Sequence, residues 1–344
     1  MPLILGIDTS CDDTSCAIVS NGRDILSNVV ASQIEDHAEY GGVVPEIACR
    51  KHLENIIWVI RKALSDAHCT LGDLSAIAVT HGPGLVGALL VGIGVAKALA
   101  YSRNLPLIAV NHLEGHIISP FLAPNVECHF PFVSLVVSGG HTNLYVVKRL
   151  GEYELVGRTV DDAAGEAFDK VAKALSLGYP GGPIIESLAG KSGADCVAFP
   201  SPMIKHDNYN FSFSGLKTAV LNYLRFDLQI ASSDEVSDKM GPDLLSKVCA
   251  GFQRAVFNVL LQKTLRLASS RGASLIALGG GVSANGALRK AFSEAAEQAG
   301  LLAIFPPPSL STDNAAMIAG AAFHHLEEGQ ASALDLDATP NLTL

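Results

Sequence analysis

Residues 3–19 read LILGIDTSCDDTSCAIV, which is two apolar, β-type runs on either side of a polar turn. Apolar runs bounded by Asp, Ser and Thr predict a strand, a loop and a second strand. The pattern returns at residues 132–147, which read FVSLVVSGGHTNLYVV. Identity between the two copies is low, so the repeat is one of structure, and it predicts two similar lobes.

Strands and helices alternate along the rest of the chain. Buried strands are expected at 76–79, 106–110, 275–278 and 302–305, with helices at 46–67, 85–101, 163–176 and 242–271 and a last helix ending near residue 328. This alternation predicts an α/β chain with mostly parallel sheets. Because no Pro/Ser-rich linker separates the copies, we expect close packing with a cleft between the lobes.

The expected division is residues 1–130 for the first lobe and 131–328 for the second, with the last helix able to pack back on the first lobe. Residues 329–344 are expected to form a loosely ordered tail.

The composition carries no chain-wide signal of nucleic-acid binding. The chain has 344 residues, a net charge of -10 and no polybasic segment, so contacts to RNA would need a local patch or a partner protein. Its seven cysteines are dispersed and no targeting leader is visible, which predicts a reduced, cytoplasmic protein. The apolar run 85–100 contains four interruptions and is shorter than the roughly 20 residues that span a bilayer, which favours a buried helix and no membrane.

His112 and His116 are spaced for metal binding. Residues four apart on a helix share one face, with about 5–6 Å between their Cβ atoms, so both rings can reach one ion. The zinc-protease helix H-E-x-x-H has its general base directly after the first His. Here Leu113 takes that position, and Glu114 points away from the shared face. The alternative is two partly exposed helix histidines without a ligand.

Two neighbouring features bear on this site. Asn111 is placed to cap the helix that carries both histidines. Asp313 stands where the last helix begins, so it is either an N-cap or first-turn acid or a third metal ligand that completes a two-His, one-carboxylate face.

Three polar loops follow strands, at residues 8–15, 138–142 and 279–285. Their backbone N–H groups suit an anion, although none matches the P-loop or dinucleotide fingerprint, and each alone is compatible with an ordinary tight turn. Asp8 and Asp13 crowd carboxylates into the first loop, which fits a metal ion or a polar ligand edge better than bare phosphate.

Several other polar residues allow two interpretations. The acid-rich segment 161–170 fits helix capping and dipole compensation, although Asp169 lies too far into the helix for that role. Lys217 is either an anion contact or a solvated helix lysine, and His141 is either a ligand contact or a turn histidine. Asp13, Lys217 and His141 are the candidates for catalytic roles, and the sequence names no general base.

Together these segments resemble the TsaD family of bacterial type, the tRNA N6-adenosine threonylcarbamoyltransferases once described as glycoprotein endopeptidases. The matching segments, in order, are GIDTSCDDT (6–14), NHLEGH (111–116), VSGGHT (137–142), DDAAGEAFDK (161–170), YPGGP (179–183), FSFSGLKT (211–218), GGGVSAN (279–285) and DNAAM (313–317). Residues 41–46 resemble the bacterial branch. The chain departs from the family at Asp8 and Asp13, where Glu is usual.

The resemblance implies a two-lobed actin/Hsp70/sugar-kinase-like (ASKHA) fold and a divalent metal, Fe²⁺ or else Zn²⁺, on His112, His116 and Asp313. It further implies that the adenylate-containing substrate contacts Val136, Val137, Ser138, Gly139, Gly140, Asp169, Gly182, Glu186 and Asn285. Glu186 stands where bacterial members often have Asp.

The implied reaction moves a threonylcarbamoyl group from threonylcarbamoyl-AMP to N6 of adenosine at position 37 of tRNAs that read codons beginning with A, and releases AMP. The implied partners are tRNA, an inactive TsaB-like paralogue and a small TsaE-like ATPase. The alternatives are a nucleotide-binding, non-catalytic paralogue and a metalloprotease.

Overall fold

The computed structural model describes residues 1–124, 126–193 and 195–344, with Ser237 described by its backbone alone. The strands are β1 (Leu3–Asp8), β2 (Asp13–Ser20), β3 (Asp24–Ser32), β4 (Ala76–Gly82), β5 (Leu107–Asn111), β6 (Phe132–Val137), β7 (Thr142–Arg149), β8 (Glu152–Arg158), β9 (Leu275–Gly279) and β10 (Leu302–Ile304). The α-helices are α1 (Ile34–Ala38), α2 (Pro45–Asp66), α3 (Val86–Arg103), α4 (His112–Ile118), α5 (Ala164–Ala174), α6 (Gly181–Ala189), α7 (Ser214–Asn222), α8 (Val236–Lys239), α9 (Pro242–Arg271), α10 (Gly286–Gln298) and α11 (Ala315–Glu327). Short 3₁₀ turns lie at Ser119–Leu122, Ser233–Glu235, Gly281–Ala284 and Pro308–Leu310, and a π-helical turn lies at Tyr223–Asp227.

The two sheets repeat one topology. The first has the order β3-β2-β1-β4-β5 and the second the order β8-β7-β6-β9-β10. In each sheet the central strand pairs antiparallel with the strand that follows it and parallel with a later one. The predicted repeat is therefore confirmed, whereas the prediction of mostly parallel sheets is wrong, because both sheets are mixed.

Each repeat also has a third strand that the hydrophobic pattern did not predict. β3 alternates irregularly between exposed and buried positions, and β8 is mostly half-buried. Both stand at the edge of a sheet, where one side of the strand needs no apolar cover, so their sequences lack the apolar run that reveals a central strand.

The chain forms two compact units. The first contains Met1–Cys128, Arg149–Tyr153 and Pro306–Leu344, and the second contains His129–Lys148 and Glu154–Phe305. Helix α11 therefore belongs to the unit built on β1.

In the first unit, alternate residues of β1 serve two cores. Leu5 and Ile7 pack with residues of α2 and α3, while Ile4 packs with residues of α11. Gly6 lets α11 approach the sheet, because a Cβ at this position would lie 3.0 Å from the backbone nitrogen and the Cβ of Ala319. This close approach fixes the start of α11, where Asp313 lies.

In the second unit, one continuous core joins β6 to α5 and α9. Phe168 of α5 and Phe252 of α9 meet edge to face with their ring centroids 5.1 Å apart. Val133, Leu135 and Val137 of β6 belong to the same cluster. This packing fixes the loop that follows β6.

Two helices, Val86–Arg103 and Pro242–Arg271, are long and apolar enough to cross a membrane by length and composition alone. Core helices of globular proteins pass the same test. Both helices pack in the cores described above, which agrees with the buried helix expected at 85–100.

The expectation of a loosely ordered tail is wrong. Ser332 donates its backbone N–H to the Leu107 carbonyl at 2.7 Å, and Thr339 donates to the His81 carbonyl at 2.8 Å. Leu336 and Ala338 pack against the core formed by α2 and α3. The tail thus covers the edge of the first sheet with backbone hydrogen bonds, which a polar sequence without periodicity does not reveal.

Candidate metal centre and anion-binding loops

Helix α4 begins at the carboxyl end of β5 and presents two buried imidazoles. Asn111 caps it as predicted, since its side chain accepts the Leu113 N–H at 2.8 Å. His112 and His116 follow one turn apart, with ring centroids 4.6 Å from each other. They are 6% and 0% exposed, so the alternative of two partly exposed histidines is wrong.

Asp313 lies against both imidazoles. Its Oδ1 is 3.4 Å from His112 Nε2 and 3.2 Å from His116 Nε2. The alternative role as N-cap is excluded, because Asn314 caps α11 by accepting the Met317 N–H at 3.1 Å. The carboxylate of Asp313 is therefore available to the histidines.

The three side chains fit a divalent metal ion. Their ligand atoms all lie within 4.8 Å of one another. Nδ1 of His116 is buried without a hydrogen-bond partner among the described residues, and its Nε2 meets only Asp313 Oδ1, at 3.2 Å. Buried polar atoms are normally satisfied, so this gap indicates a missing ligand. Two imidazoles and one carboxylate with open positions form a facial set that suits Fe²⁺ and also Zn²⁺.

Asp8 and Ser10 fix the orientation of His112. Asp8 Oδ2 lies 3.3 Å from His112 Nδ1, and Ser10 Oγ lies 3.1 Å from the same nitrogen. This leaves Nε2 directed at Asp313, which is the usual arrangement in which a carboxylate orients a metal-binding histidine. Sequence reasoning did not assign Asp8 this role, although the acid-rich first loop was the signal for it.

The electrostatics of the cluster follow from burial and opposite charge. Burial disfavours the cationic form of His112, but Asp313 and Asp8 outweigh it and raise the pKa of His112 to about 10. Burial also opposes ionisation of Asp313, yet the two histidines hold the pKa of Asp313 well below its usual range. The site is thus built around an ionised carboxylate, which a cation stabilises.

Asp13 lies in the same loop with a different environment. Burial, followed by the nearby charge of Asp313, raises the pKa of Asp13 to about 7. Its Oδ1 is buried without a hydrogen-bond partner among the described residues. A carboxyl group with a pKa near neutrality can exchange a proton at cellular pH.

Glu114 lies on another face of α4, as the helical spacing predicted. Its Oε1 accepts the hydroxyl of Tyr153 at 2.7 Å, and its Oε2 lies 2.9 Å from His325 Nε2. The hydrogen bond to Glu114 raises the pKa of His325 to about 9. Because His325 belongs to α11, this partly buried pair joins α4, which carries both histidines of the cluster, to the helix that follows Asp313.

The loop after β6 has no acidic side chain. Ser138 donates its N–H to the His141 carbonyl at 2.8 Å, and its Oγ accepts the His141 N–H at 3.1 Å. Gly139 and Gly140 are exposed, and a Cβ at either would meet nothing within 4 Å. Their amides have no hydrogen-bond partner among the described residues, so this turn presents donors to a ligand.

The turn after β9 lies beside the strand that leads into this loop. Gly280 has φ +88 and packs against the Val137 carbonyl, which leaves no room for a Cβ. Asn285 caps α10 by accepting the Leu288 N–H at 2.9 Å and donates to Gln253 at 3.1 Å. The carboxyl ends of the parallel strands β6 and β9 therefore lie side by side, and the residues found there are Val137, Gly280 and Asn285.

Two more of the predicted substrate-contact residues are acids whose carboxylates accept N–H groups at helix N-termini. Asp169 Oδ1 accepts the Gly181 N–H at 2.8 Å, and Glu186 Oε1 accepts the Gly286 N–H at 2.7 Å. The Asp169 carboxylate thus fixes the start of α6, which explains an acid so far inside α5. Gly182, one residue into α6, has open space where a Cβ would be.

The side chains of Val136 and Val137 are fully buried in β6. Only their backbone is available to a ligand. Lys217 lies in α7 and is half-buried, and His141 is half-buried beside the exposed glycines.

Asp161 caps α7, whereas the sequence suggested that the acid-rich segment compensates its own helix, α5. The Asp161 carboxylate accepts the Phe213 N–H at 2.8 Å and the Ser214 Oγ hydrogen at 2.7 Å. These hydrogen bonds hold the pKa of Asp161 below its usual value against the opposing effect of burial. Asp161 therefore connects segment 161–170 to segment 211–218, which lies far from it in the sequence.

Solved structures with the same fold define the class. The chain resembles HypF in its phosphate- and nucleotide-bound form at a TM-score of 0.61 and 14% identity, over 96% of this chain and 47% of HypF. It resembles component A of (R)-2-hydroxyglutaryl-CoA dehydratase from Acidaminococcus fermentans at a TM-score of 0.54 and 17% identity, over 95% and 99% of the two chains. The protein thus has an α/β fold of the actin/Hsp70/sugar-kinase type, with two compact units and a His-His-Asp cluster.

Sequence comparison gives the family. The family model TsaD, tRNA N6-adenosine threonylcarbamoyltransferase, matches residues 24–320. A protein of that description from Geotalea uraniireducens is 51% identical over 338 residues, which cover 98% of this chain and 95% of the relative. The chain belongs to the TsaD family of tRNA-modifying transferases, and the acyltransferase class fits it.

Proposed function

We propose that this enzyme transfers the threonylcarbamoyl group of threonylcarbamoyl-AMP to N6 of adenosine 37 in tRNAs that read codons beginning with A, and releases AMP. The observation that carries the proposal is the set of two buried histidines and the half-buried Asp313, whose ligand atoms lie within 4.8 Å of one another in a chain of this family.

The metal would be held by His112, His116 and Asp313, with Fe²⁺ favoured by the two-His, one-carboxylate set and Zn²⁺ as the alternative. When bound, it supplies Lewis-acid polarisation of the donor. Asp8 orients His112 from 3.3 Å, so the ligand set is preorganised by a buried carboxylate.

The adenylate part of the donor would bind in the second unit. The free amides of Gly139 and Gly140 suit a phosphate, and the open space at Gly182 admits a ligand against α6. Glu186 uses Oε1 to hold α10, while Oε2 makes no hydrogen bond to a described residue and suits a ribose hydroxyl.

Three residues are candidates for proton transfer or charge stabilisation. Asp13 has a pKa of about 7, which suits a general base for the adenine amine. Lys217 and His141 suit stabilisation of negative charge, since each is a potential cation on the second unit. Separate substitutions of Asp13, Lys217 and His141 distinguish these roles.

The chain's negative net charge of -10 argues for helpers in tRNA binding. We propose a TsaB-like inactive paralogue and a TsaE-like ATPase as partners, and the cytoplasm as the location, since tRNA is modified there.

Two other functions are less well supported. A non-catalytic paralogue has no use for a complete His-His-Asp ligand set. A metalloprotease of the H-E-x-x-H type has its general base directly after the first His, where this chain has Leu113, and Glu114 is bound to Tyr153 and His325 on another face of α4.

The direct test combines the full-length chain, loaded with Fe²⁺ or Zn²⁺, with the two partners, threonylcarbamoyl-AMP and an unmodified tRNA transcript. Nucleoside mass spectrometry should detect threonylcarbamoyladenosine and an equal amount of AMP. The matched pair is His116→Ala, which should abolish the product, and His68→Ala, an exposed-loop histidine substitution that should not. Metal-loaded wild type without product would refute the proposal.

A further inference from the structure

A basic cavity of about 340 Å³ lies in the second unit. It is lined by residues of α5 and α7, by the π-helical turn and by residues 230–233. Its polar lining residues are Lys170, Lys173, Lys217, Arg225, Ser232 and Ser233, and none of the described lining residues carries a carboxylate.

Most of this positive charge is uncompensated. Lys170 is neutralised by Asp162 and Glu166, at 2.6 and 2.9 Å. Lys173, Lys217 and Arg225 form no ion pair with any described residue. Three unpaired cations that share one concavity repel each other, and in a chain with a net charge of -10 they concentrate a positive potential that attracts an anion.

The cavity is built on a braced framework. Asp161 accepts the Phe213 N–H at 2.8 Å and thereby fixes the start of α7, whose first turn carries Lys217. At its far end α7 passes into the π-helical turn Tyr223–Asp227, which presents Arg225. Single π-helical turns are rare and frequently occur at functional sites.

An exposed aromatic side chain, Phe226, is next to Arg225 in the sequence and lies outside the lining of the cavity. Phe226 follows Arg225 in the π-helical turn and is 71% exposed, and Leu221 in the lining is 40% exposed. Cations beside an exposed aromatic ring are the combination that binds single-stranded nucleic acid, since the cations contact phosphates and the ring stacks on a base.

We propose that this basic cavity binds the sugar–phosphate backbone of the tRNA substrate, with Phe226 stacked on an unpaired base. The inference rests on the proposed function and deepens it by naming a tRNA-binding surface. Lys173 lies one helical turn after Asp169 on α5, so the RNA would bind on the same helix that carries a proposed adenylate contact. The unpaired cations of this cavity explain how a chain with a negative net charge can bind RNA without a basic tail.

The test measures binding of unmodified tRNA to the full-length chain, together with its two proposed partners, by filter binding across a salt series. The double variant K173Q/R225Q should weaken binding about tenfold at roughly 100 mM salt and reduce the slope of log K against log salt by about 0.7–0.9 for each lost phosphate contact. Phe226→Ala should weaken binding about tenfold with the slope unchanged, because stacking releases no counterions.

The charge-matched control is K62Q/R103Q, which removes one lysine and one arginine from exposed positions of the first unit and should behave as wild type. Equal melting temperatures exclude misfolding as the cause. Affinity and slope equal to this control would overturn the inference, as would the absence of saturable tRNA binding by the wild type. So would a double variant that loses only AMP or orthophosphate binding, or only binding to a partner protein.

The product assay separates this inference from the proposed function. A wild type that binds tRNA through these residues but forms no threonylcarbamoyladenosine would refute the function and leave the RNA surface intact. If the K173Q/R225Q variant binds tRNA like the wild type and still forms threonylcarbamoyladenosine, the RNA surface is refuted and the proposed function stands.

Discussion

The loop between β1 and β2 and the loop between β6 and β7 stand at the same place in two repeats of one topology, but their chemistry is opposite. The first, together with the strand ends that flank it, carries Asp8, Asp12 and Asp13, and Asp8 lies 3.3 Å from His112 of the His-His-Asp cluster. The second contains Gly139 and Gly140, whose missing side chains leave backbone amides exposed. The two repeats thus place carboxylates, which suit a cation, at one loop and backbone amides, which suit an anion, at the other.

The comparison teaches that the sheet fixes where a loop stands and the side chains fix what it binds. Carboxylates favour a metal ion and repel phosphate, whereas free N–H groups do the opposite. Substitutions in one unit should therefore affect one ligand and spare the other.

The largest effect is expected for Asp313→Ala. Loss of the carboxylate shared by two histidines should lower metal affinity by more than about 100-fold, since loss of an outer carboxylate alone costs about 10–100-fold. Metal analysis after dialysis measures this. Asp161→Asn, in the other unit, is the control and should retain the metal, while AMP binding should be equal in both. Full metal content in Asp313→Ala would contradict the ligand assignment.

The second largest effect on metal affinity is expected for Asp8→Asn. It keeps the shape of the side chain but removes the charge 3.3 Å from His112 Nδ1, so metal affinity should fall about 10–100-fold. Asp12→Asn tests whether any acid in the loop suffices, and it should keep wild-type affinity. Equal losses in both variants would mean that the loop acts through its summed charge and not by orienting His112.

Glu114→Gln should reduce stability by about 2 kcal/mol, because it breaks the partly buried pair with His325. The folded pKa of His325, about 9, lies above the ordinary value near 6.5. This stabilisation is therefore fully present below about pH 6.5 and is lost as pH rises through about 9. Urea unfolding of wild type and variant between pH 6 and 10 should show the gap closing. The exposed Glu54→Gln is the control, and a pH-independent gap would contradict the ion pair.

The smallest effect is expected at the proposed adenylate site, where AMP binding is measured. Gly182→Ala fills space that is open in the fold, so it should leave stability unchanged and weaken AMP binding about tenfold. In Gly181→Ala the new Cβ would lie 2.7 Å from the Phe168 carbonyl, so that variant should lose about 1–3 kcal/mol of stability. Calorimetry of both variants checks the pair. Unchanged AMP affinity in Gly182→Ala would remove Gly182 from the proposed site.

Local sequence patterns predicted much of the fold. The long helix at 242–271, the strand after it and the repeated strand pair follow from apolar periodicity and are confirmed. The edge strands β3 and β8 were missed because they carry little apolar pattern. The tail was misjudged because its order comes from hydrogen bonds to β4 and β5, which no local pattern encodes.

The candidate site divides in the same way. His-x3-His and its cap at Asn111 are local, so the sequence was sufficient to predict a shared helical face. Asp313 was one of two possibilities until packing placed Asn314 at the cap and Asp313 against the histidines. The roles of Asp8 and Asp161 depend on partners far away in the chain, and the sequence offered only their acidity as a signal.

By itself the sequence determined the repeated strand–loop–strand units, the helical histidine pair and the family, because each depends on spacing between nearby residues or on motif order. Only the tertiary structure decided which carboxylate meets the histidines, that Glu114 joins α4 to α11, and that Lys173, Lys217 and Arg225 share one cavity. These contacts join residues that sheet order and helix packing bring together, and no local periodicity specifies them.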